Sequence, residues 1–284
     1  MKALSRPFPC RDPGPCFRRV PVRAPGRAAR TASILLLLLA SCTAYVVPDS
    51  TTTSTTPVFS AASTKVGTAS AGVRSLALAD FDLDGRLDAA GADAVGNLYV
   101  WRNNGFPWSD DWTRYQVNAS ALSGAVYALV VADLDCDGWP DLASADGGGT
   151  VTAWRNSHFP FSGSWASVTA YGSASAARCL AVLDADRDGN LDLAVGTAAP
   201  SLVLAKNPGL AFGGNWATSS APVTGLTATV LALAAADLDQ DGQVDLAAGF
   251  DDAAAYDVVL YRNPGAVTAF STTWTSQNVG TCGG

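Results

Sequence analysis

The chain has 284 residues, 48% of them hydrophobic, with 27 Gly and a single Met. All 25 acidic residues are Asp, the formal net charge is −7, and eight of the 18 basic residues fall within the first 30 positions. The remainder carries 24 Asp against ten basic residues, a surface that repels nucleic-acid phosphates and anionic membranes and attracts cations. Asp without Glu, beside so much Gly, suits turns and metal loops and works against long helices.

The Arg- and Pro-rich start runs into an apolar stretch, Ile34 to Ala40, and then into small residues, Ser41 to Ala44. A positive segment, a short apolar core and a small-residue end describe a secretory signal, with cleavage after Ala44. Two other readings stay open. The sequence ending at Cys42 resembles a lipoprotein box, in which that Cys would carry lipid. Alternatively residues 34–47 are retained as a membrane anchor, although a spanning helix needs about 20 residues. Residues 1–44 are therefore read as a leader, with a transit peptide a weaker alternative, and the leading readings place the bulk of the chain outside the cytosol. Any membrane anchoring is expected through this segment only. Residues 45–62 are Ser/Thr-rich with little to bury and read as a flexible linker.

Residues 63–281 repeat. Asp80 begins DFDLDGRLD, Asp133 DLDCDGWPD, Asp184 DADRDGNLD and Asp237 DLDQDGQVD, at intervals of 53, 51 and 53 residues. A period this regular means a repeat architecture. Each loop (80–88, 133–141, 184–192, 237–245) is flanked by apolar runs, then by a segment ending in an apolar–basic–Asn signature. Those signatures are Trp101-Arg102-Asn103, Trp154-Arg155-Asn156, Ala205-Lys206-Asn207 and Tyr261-Arg262-Asn263, each followed by a trailing Trp at 112, 165, 216 or 274. The apolar runs are four to eight residues long, rich in Val and Leu and bounded by Gly, Asp and Asn, a strand pattern. The fold class is all-β: about four strands per repeat predict the four-stranded blades of a β-propeller, with four repeats visible. Blades bury their faces on their neighbours, so no repeat is expected to fold alone. The segment Thr64 to Ser70 sits where later repeats have their trailing strand. A truncated propeller, a four-bladed ring closed by that segment and an open arc are all compatible with this pattern.

The spacing D-x-D-x-D-G-x-x-D turns alternate side chains inward, so positions 1, 3 and 5 converge and the Asp at position 9 closes the shell. The Gly at position 6 reverses the backbone, and the carbonyl at position 7 adds an oxygen. The expected ligands are Asp80, Asp82, Asp84 and Asp88; Asp133, Asp135, Asp137 and Asp141; Asp184, Asp186, Asp188 and Asp192; and Asp237, Asp239, Asp241 and Asp245. Six or seven oxygens suit Ca²⁺ better than octahedral Mg²⁺, so four Ca²⁺ are predicted, one per repeat. An EF-hand is excluded, because it needs Glu at position 12 and helices on both sides. Position 12 here is Gly91, Ser144, Val195 or Ala248.

Apolar run, acidic loop, second apolar run and a strand ending in Arg-Asn resemble the FG-GAP/VCBS repeats of integrin α-chain propellers and of many secreted proteins. The resemblance covers roughly residues 60–280. It implies a structural Ca²⁺ in the loop between the first two strands of each blade. It also implies a secreted or cell-surface module for adhesion or recognition of a protein or glycan ligand, and no enzyme. A carbohydrate-binding lectin, and an accessory domain of a polysaccharide-degrading enzyme, are the alternatives on the same scaffold. Integrin-type propellers have seven blades, and four repeats are visible here.

The other polar residues offer little catalysis. His158 is the only His, which leaves no His pair for acid–base or metal work. A glycosidase pair would have to be drawn from Asp93, Asp110, Asp111, Asp146, Asp251 and Asp252. The recurring Trp and Tyr read either as packing between blades or as platforms for sugar rings. The recurring Arg and Lys read as structural contacts. Cys136, Cys179 and Cys282 follow the leader, an odd number that cannot pair completely among themselves. Asn118 to Ser120 form an N-glycosylation sequon.

Overall fold

The computed structural model describes residues 66–106, 112–118, 121–162, 165–220, 223, 226, 228–251, 258–265 and 268–280. The leader, the linker, Asp110, Asp111, Asp252 and Cys282 lie outside the described residues. Among the described residues there is no helix, and hence none long and apolar enough to cross a membrane.

The described residues build four antiparallel sheets of four strands, each in simple sequence order. Sheet 1 holds β1 (Val73–Ala79), β2 (Asp88–Asp93), β3 (Leu98–Arg102) and β4 (Thr113–Gln116). Sheet 2 holds β5 (Val126–Ala132), β6 (Asp141–Asp146), β7 (Thr150–Arg155) and β8 (Ala166–Gly172). Sheet 3 holds β9 (Ala177–Leu183), β10 (Asp192–Thr197), β11 (Ser201–Lys206) and β12 (Ala217–Ser219). Sheet 4 holds β13 (Thr229–Ala236), β14 (Asp245–Asp251), β15 (Val258–Arg262) and β16 (Thr275–Gly280). The acidic loops join the first two strands of every sheet.

The second strands are the most buried, because a sheet covered on both faces leaves them no solvent side. In β6 and β10 every residue is buried. Their small side chains let neighbouring sheets approach closely. At Gly196 a Cβ would stand 2.5 Å from Cys179 Sγ and 2.7 Å from Val230 of the next sheet.

The core is divided into three clusters, each lying between consecutive sheets. One joins Phe81, Leu98 and Val100 of sheet 1 to Val126, Leu129 and Trp154 of sheet 2. The second joins Leu134 and Val151 to Leu180, Leu193 and Trp216. The third joins Leu183, Leu202 and Leu204 to Val230, Leu246 and Trp274. No sheet has a core of its own, so each depends on a neighbour for burial. The first strands pack in series, β1 on β5, β5 on β9 and β9 on β13. Residues 66–72 do not join sheet 4, which has its own outer strand β16. They lie on sheet 1: Ser70 bonds the Tyr99 hydroxyl, and the Gly72 carbonyl accepts the Ala94 N–H at 3.0 Å.

All the recurring aromatic residues but Trp112, which is half-buried, are inside. Trp101, Trp154, Trp165, Trp216, Tyr261 and Trp274 are all buried. The indoles of Trp165, Trp216 and Trp274 each donate to a carbonyl five residues back, at Pro160, Ala211 and Ala269, which closes the loop before the outer strand. Rings held in this way have no open face for a sugar, so packing is the reading that applies to them.

Candidate metal centres

Each loop is wound by its own backbone amides. The position-1 carboxylates of Asp80, Asp133, Asp184 and Asp237 accept the N–H of positions 5 and 6 at 2.8–3.1 Å. Position 6 is Gly in the left-handed region, as the turn requires (Gly85, φ 89°; Gly138, φ 91°). Position 4 is left-handed too, although it holds Leu83, Cys136, Arg187 and Gln240 (φ 56–63°). Side chains other than Gly adopt this conformation at a cost, and all four loops accept it.

Positions 1, 3 and 9 converge. Oxygens of Asp80, Asp82 and Asp88 lie within 4.8 Å of one another, as do those of Asp133, Asp135 and Asp141, of Asp184, Asp186 and Asp192, and of Asp237, Asp239 and Asp245. The position-9 Asp is the anchor. It begins the second strand, is buried, and accepts one backbone N–H on each oxygen. For Asp192 these come from Ala185 at 3.0 Å and Asn207 at 2.8 Å, and Asp88, Asp141 and Asp245 repeat the pattern.

The structure does not bring position 5 into these groups. The Oδ1 of Asp84, Asp137, Asp188 and Asp241 caps the turn, accepting the N–H of position 7 at 2.8–3.0 Å. The Oδ2 faces the basic residue of the Arg/Lys-Asn signature, which arrives from the third strand. That same cation holds the outer oxygen of the position-3 Asp. Arg102 reaches Asp82 at 2.7 Å, Arg155 reaches Asp135 at 2.7 Å and Arg262 reaches Asp239 at 2.5 Å, while Lys206 pairs with Asp186. The recurring cations are thus structural, and their partners are the loops themselves.

The inner oxygen of position 3 has no such partner. Oδ1 of Asp82, Asp135 and Asp186 is buried without a hydrogen bond. A buried carboxylate oxygen left bare is costly, and the same atom is bare in three loops. In the fourth loop Asp239 is more exposed, and its Oδ1 accepts the Asp241 N–H at 3.2 Å.

The electrostatics divide the same way. Burial, reinforced by the neighbouring loop carboxylates, pushes Asp88 up to about 6, Asp141 to about 7 and Asp192 to about 8. Burial also raises Asp133, Asp135 and Asp184. Asp137, Asp188 and Asp241 at position 5 go the other way. Against their partial burial, Asp137 is held down by bonds from His158 and Trp139, and Asp188 by bonds from Asn190 and Lys206. Positions 1 and 9 therefore face no cation in the described residues, position 3 meets one only on its outer oxygen, and position 5 is already served. An all-oxygen donor set with a bare buried oxygen fits a hard divalent cation.

Two residues were not marked as site residues by the sequence. The first is the Asn of the signature. Asn156 donates to the Phe81 carbonyl of the preceding loop at 2.9 Å and to Pro140 at 3.1 Å. Asn207 and Asn263 do the same to Leu134 and Ala185. This amide ties each loop to the one before it, and its recurrence in all four repeats was the available signal. The second is His158, which takes the place held by Gly105, Gly209 and Gly265 in the other repeats, with φ 65°. Its ring stacks on Trp139 and its Nε2 lies 2.8 Å from Asp137 Oδ2. Asp93 and Asp146, weighed above as catalytic carboxylates, instead cap the turns after β2 and β6 by accepting backbone N–H bonds.

These features define an all-β repeat protein with an acidic loop between the first two strands of each unit. The chain belongs to the FG-GAP-like repeat family, whose profile matches residues 80–144, 133–195 and 184–248, more than half of the chain. No curated protein matches it. Among solved structures it is similar to the computationally designed Ika4 protein, at 15% identity and TM-score 0.46 over 78% of this chain and 100% of that one. It is also similar to a chain of BBS1N in complex with ARL6DN (15%, TM-score 0.43, 68% and 53%). A chain of the COPII outer coat vertex on membranes is a third likeness (12%, TM-score 0.48, 75% and 51%). The match spans about half the length of the last two.

Proposed function

We propose that the four sheets are blades of a β-propeller stabilised by Ca²⁺, and that the chain works outside the cell as an adhesion or recognition module rather than an enzyme. The observation that carries the metal reading is the bare, buried Oδ1 of Asp82, Asp135 and Asp186 beside carboxylates whose charge is unbalanced. In each loop the position-1, position-3 and position-9 Asp would hold the ion. Calcium would supply two positive charges there and pin the hairpin of the first two strands. The basic residue on the outer oxygen of position 3 leaves the inner oxygen to the metal, so the two charges do not compete for one atom. Family membership supports recognition as the role, with a protein or glycan as the ligand. The leader (1–44) and linker (45–62) support export, and residues 63–281 form the module.

Native mass spectrometry of the purified chain tests the metal reading directly. Four bound Ca²⁺ are expected, with the fourth loop the first to empty on dilution because Asp239 is the most open position-3 residue. Extracellular modules hold Ca²⁺ at about 10⁻⁴–10⁻³ M, and a ten-fold excess over Kd adds about 1.4 kcal/mol per site. Chelation should therefore lower the thermal midpoint markedly. A chain that binds no Ca²⁺, with an unchanged melt in chelator, rejects the reading.

A further inference from the structure

The junctions between sheets cover matching positions, in full at the first two and in part at Leu233 of the third, and the two ends of the described array leave those positions open. On the face turned to the preceding sheet, Val126 and Leu129 of β5 are 0% and 6% exposed, and Ala177 and Leu180 of β9 are 0% and 7%. Their counterparts in β1, Val73 and Leu76, are 43% and 65% exposed. On the face turned to the following sheet, loop position 2 is buried as Phe81, Leu134 and Ala185. Its counterpart in the fourth loop, Leu238, is 47% exposed. Ala232 is exposed as well, whereas Cys179 at the same strand position of sheet 3 is buried.

The polar half of the junction is divided in the same manner. Asn156, Asn207 and Asn263 each donate to the position-2 carbonyl of the preceding loop. Among the described residues, the Asn103 amide donates only within its own sheet, to the Leu87 carbonyl at 3.0 Å. The counterpart of the missing acceptor is the carbonyl of Leu238, at the far end of the chain.

We propose that a second copy of this chain covers both ends, with β1 of each copy seated against β13 of the other and Asn103 of each bonded to the Leu238 carbonyl of the other. The two surfaces are the halves of a junction the chain already makes three times, and this chain carries both. A head-to-tail contact either closes a ring or extends without limit. Two copies give eight sheets, within the four to eight blades a propeller holds, so closure on a two-fold axis is the geometry that fits. Residues 66–72 already shield Trp101 and Tyr99, and the second copy meets the inner strand, where Val73 and Leu76 stand open. The proposal rests on the sheets being blades and not on the metal.

Native mass spectrometry of the full chain in calcium decides it. The expected species has twice the mass of one chain. Leu76→Asp, which spoils only the first face, and Ala232→Asp, which spoils only the last, should each give a single chain. Both positions are solvent-facing within one copy, and an unchanged circular dichroism spectrum confirms folding. Mixed together, the two variants should pair, because each keeps the face that the other needs. A wild-type mass of one chain overturns the proposal, as does a two-chain species that survives Leu76→Asp or the failure of the two variants to pair. The same spectra count the metal, so a single chain with four ions rejects the pairing alone, and a metal-free pair rejects the calcium reading alone.

Discussion

Replacing Asn207 by Ala should be among the most damaging single changes away from the core. Its side chain is fully buried and makes three bonds: to the Leu134 carbonyl at 2.8 Å, to the Leu191 carbonyl at 3.1 Å and from the Gly209 N–H at 3.0 Å. A net bond contributes about 1 kcal/mol, and a buried partner left unpaired costs about 1–3 kcal/mol. The change should therefore cost roughly 3–5 kcal/mol, a large part of the 5–15 kcal/mol that holds a typical domain together. Asn103→Ala is the internal control, because it removes the same side chain where only the bonds to Leu87 and from Gly105 exist. Its expected cost is about 2–3 kcal/mol, and the difference between the two variants measures the tie between sheets. Urea unfolding in calcium is the assay, at a protein concentration low enough to keep copies apart. Equal losses at the two positions, or a loss below about 1 kcal/mol at Asn207, would refute the view that this amide links neighbouring sheets.

Burial raises Asp88, Asp141 and Asp192 to about 6, 7 and 8, above the 3.8 of a free Asp. Without metal, the stability these carboxyls contribute is complete below about pH 4 and is lost as pH rises through the folded-state values. Calorimetry in chelator should show a midpoint falling from about pH 5 to pH 8, with excess calcium removing the fall; a metal-free midpoint that climbs over this interval contradicts the assignment. Gly189→Ala places a side chain at φ 88°, should cost about 1–2 kcal/mol, and should leave the chain one calcium short by native mass spectrometry. Arg155→Gln removes a half-exposed partner of Asp135 and Asp137. It should cost no more than about 1 kcal/mol, an effect that added salt erases in a urea titration.

Strand content and repeat number were legible because short apolar runs bounded by Asp and Gly recur every fifty-odd residues. The acidic loops were legible for the same reason, and positions 1, 3 and 9 meet as the spacing suggests. Position 5 was not, because simple alternation assumes an evenly wound loop. The backbone turns left-handed at position 4, where Leu83, Cys136, Arg187 and Gln240 carry no common chemical signal. The carboxylate after that turn is spent on capping and on the cation from the third strand. That cation's partner was equally hidden, since Arg155 and Asp135 are twenty residues apart and meet only once the hairpin forms. The aromatic positions could be read two ways until burial decided between them. The tie made by Asn156 was written plainly in the repeated signature, yet its acceptor, Phe81, lies 75 residues away, a distance no local pattern spans.

Because each core is shared by two consecutive sheets, the cut surfaces left by removing an internal unit still match. Take out sheet 2, and the face of Phe81, Leu98 and Val100 meets Leu180, Leu193 and Trp216 in place of Leu129, Leu142 and Trp154. Unequal exchange between gene copies can therefore lengthen or shorten such a protein without redesigning its interior, and only the outermost units feel the change.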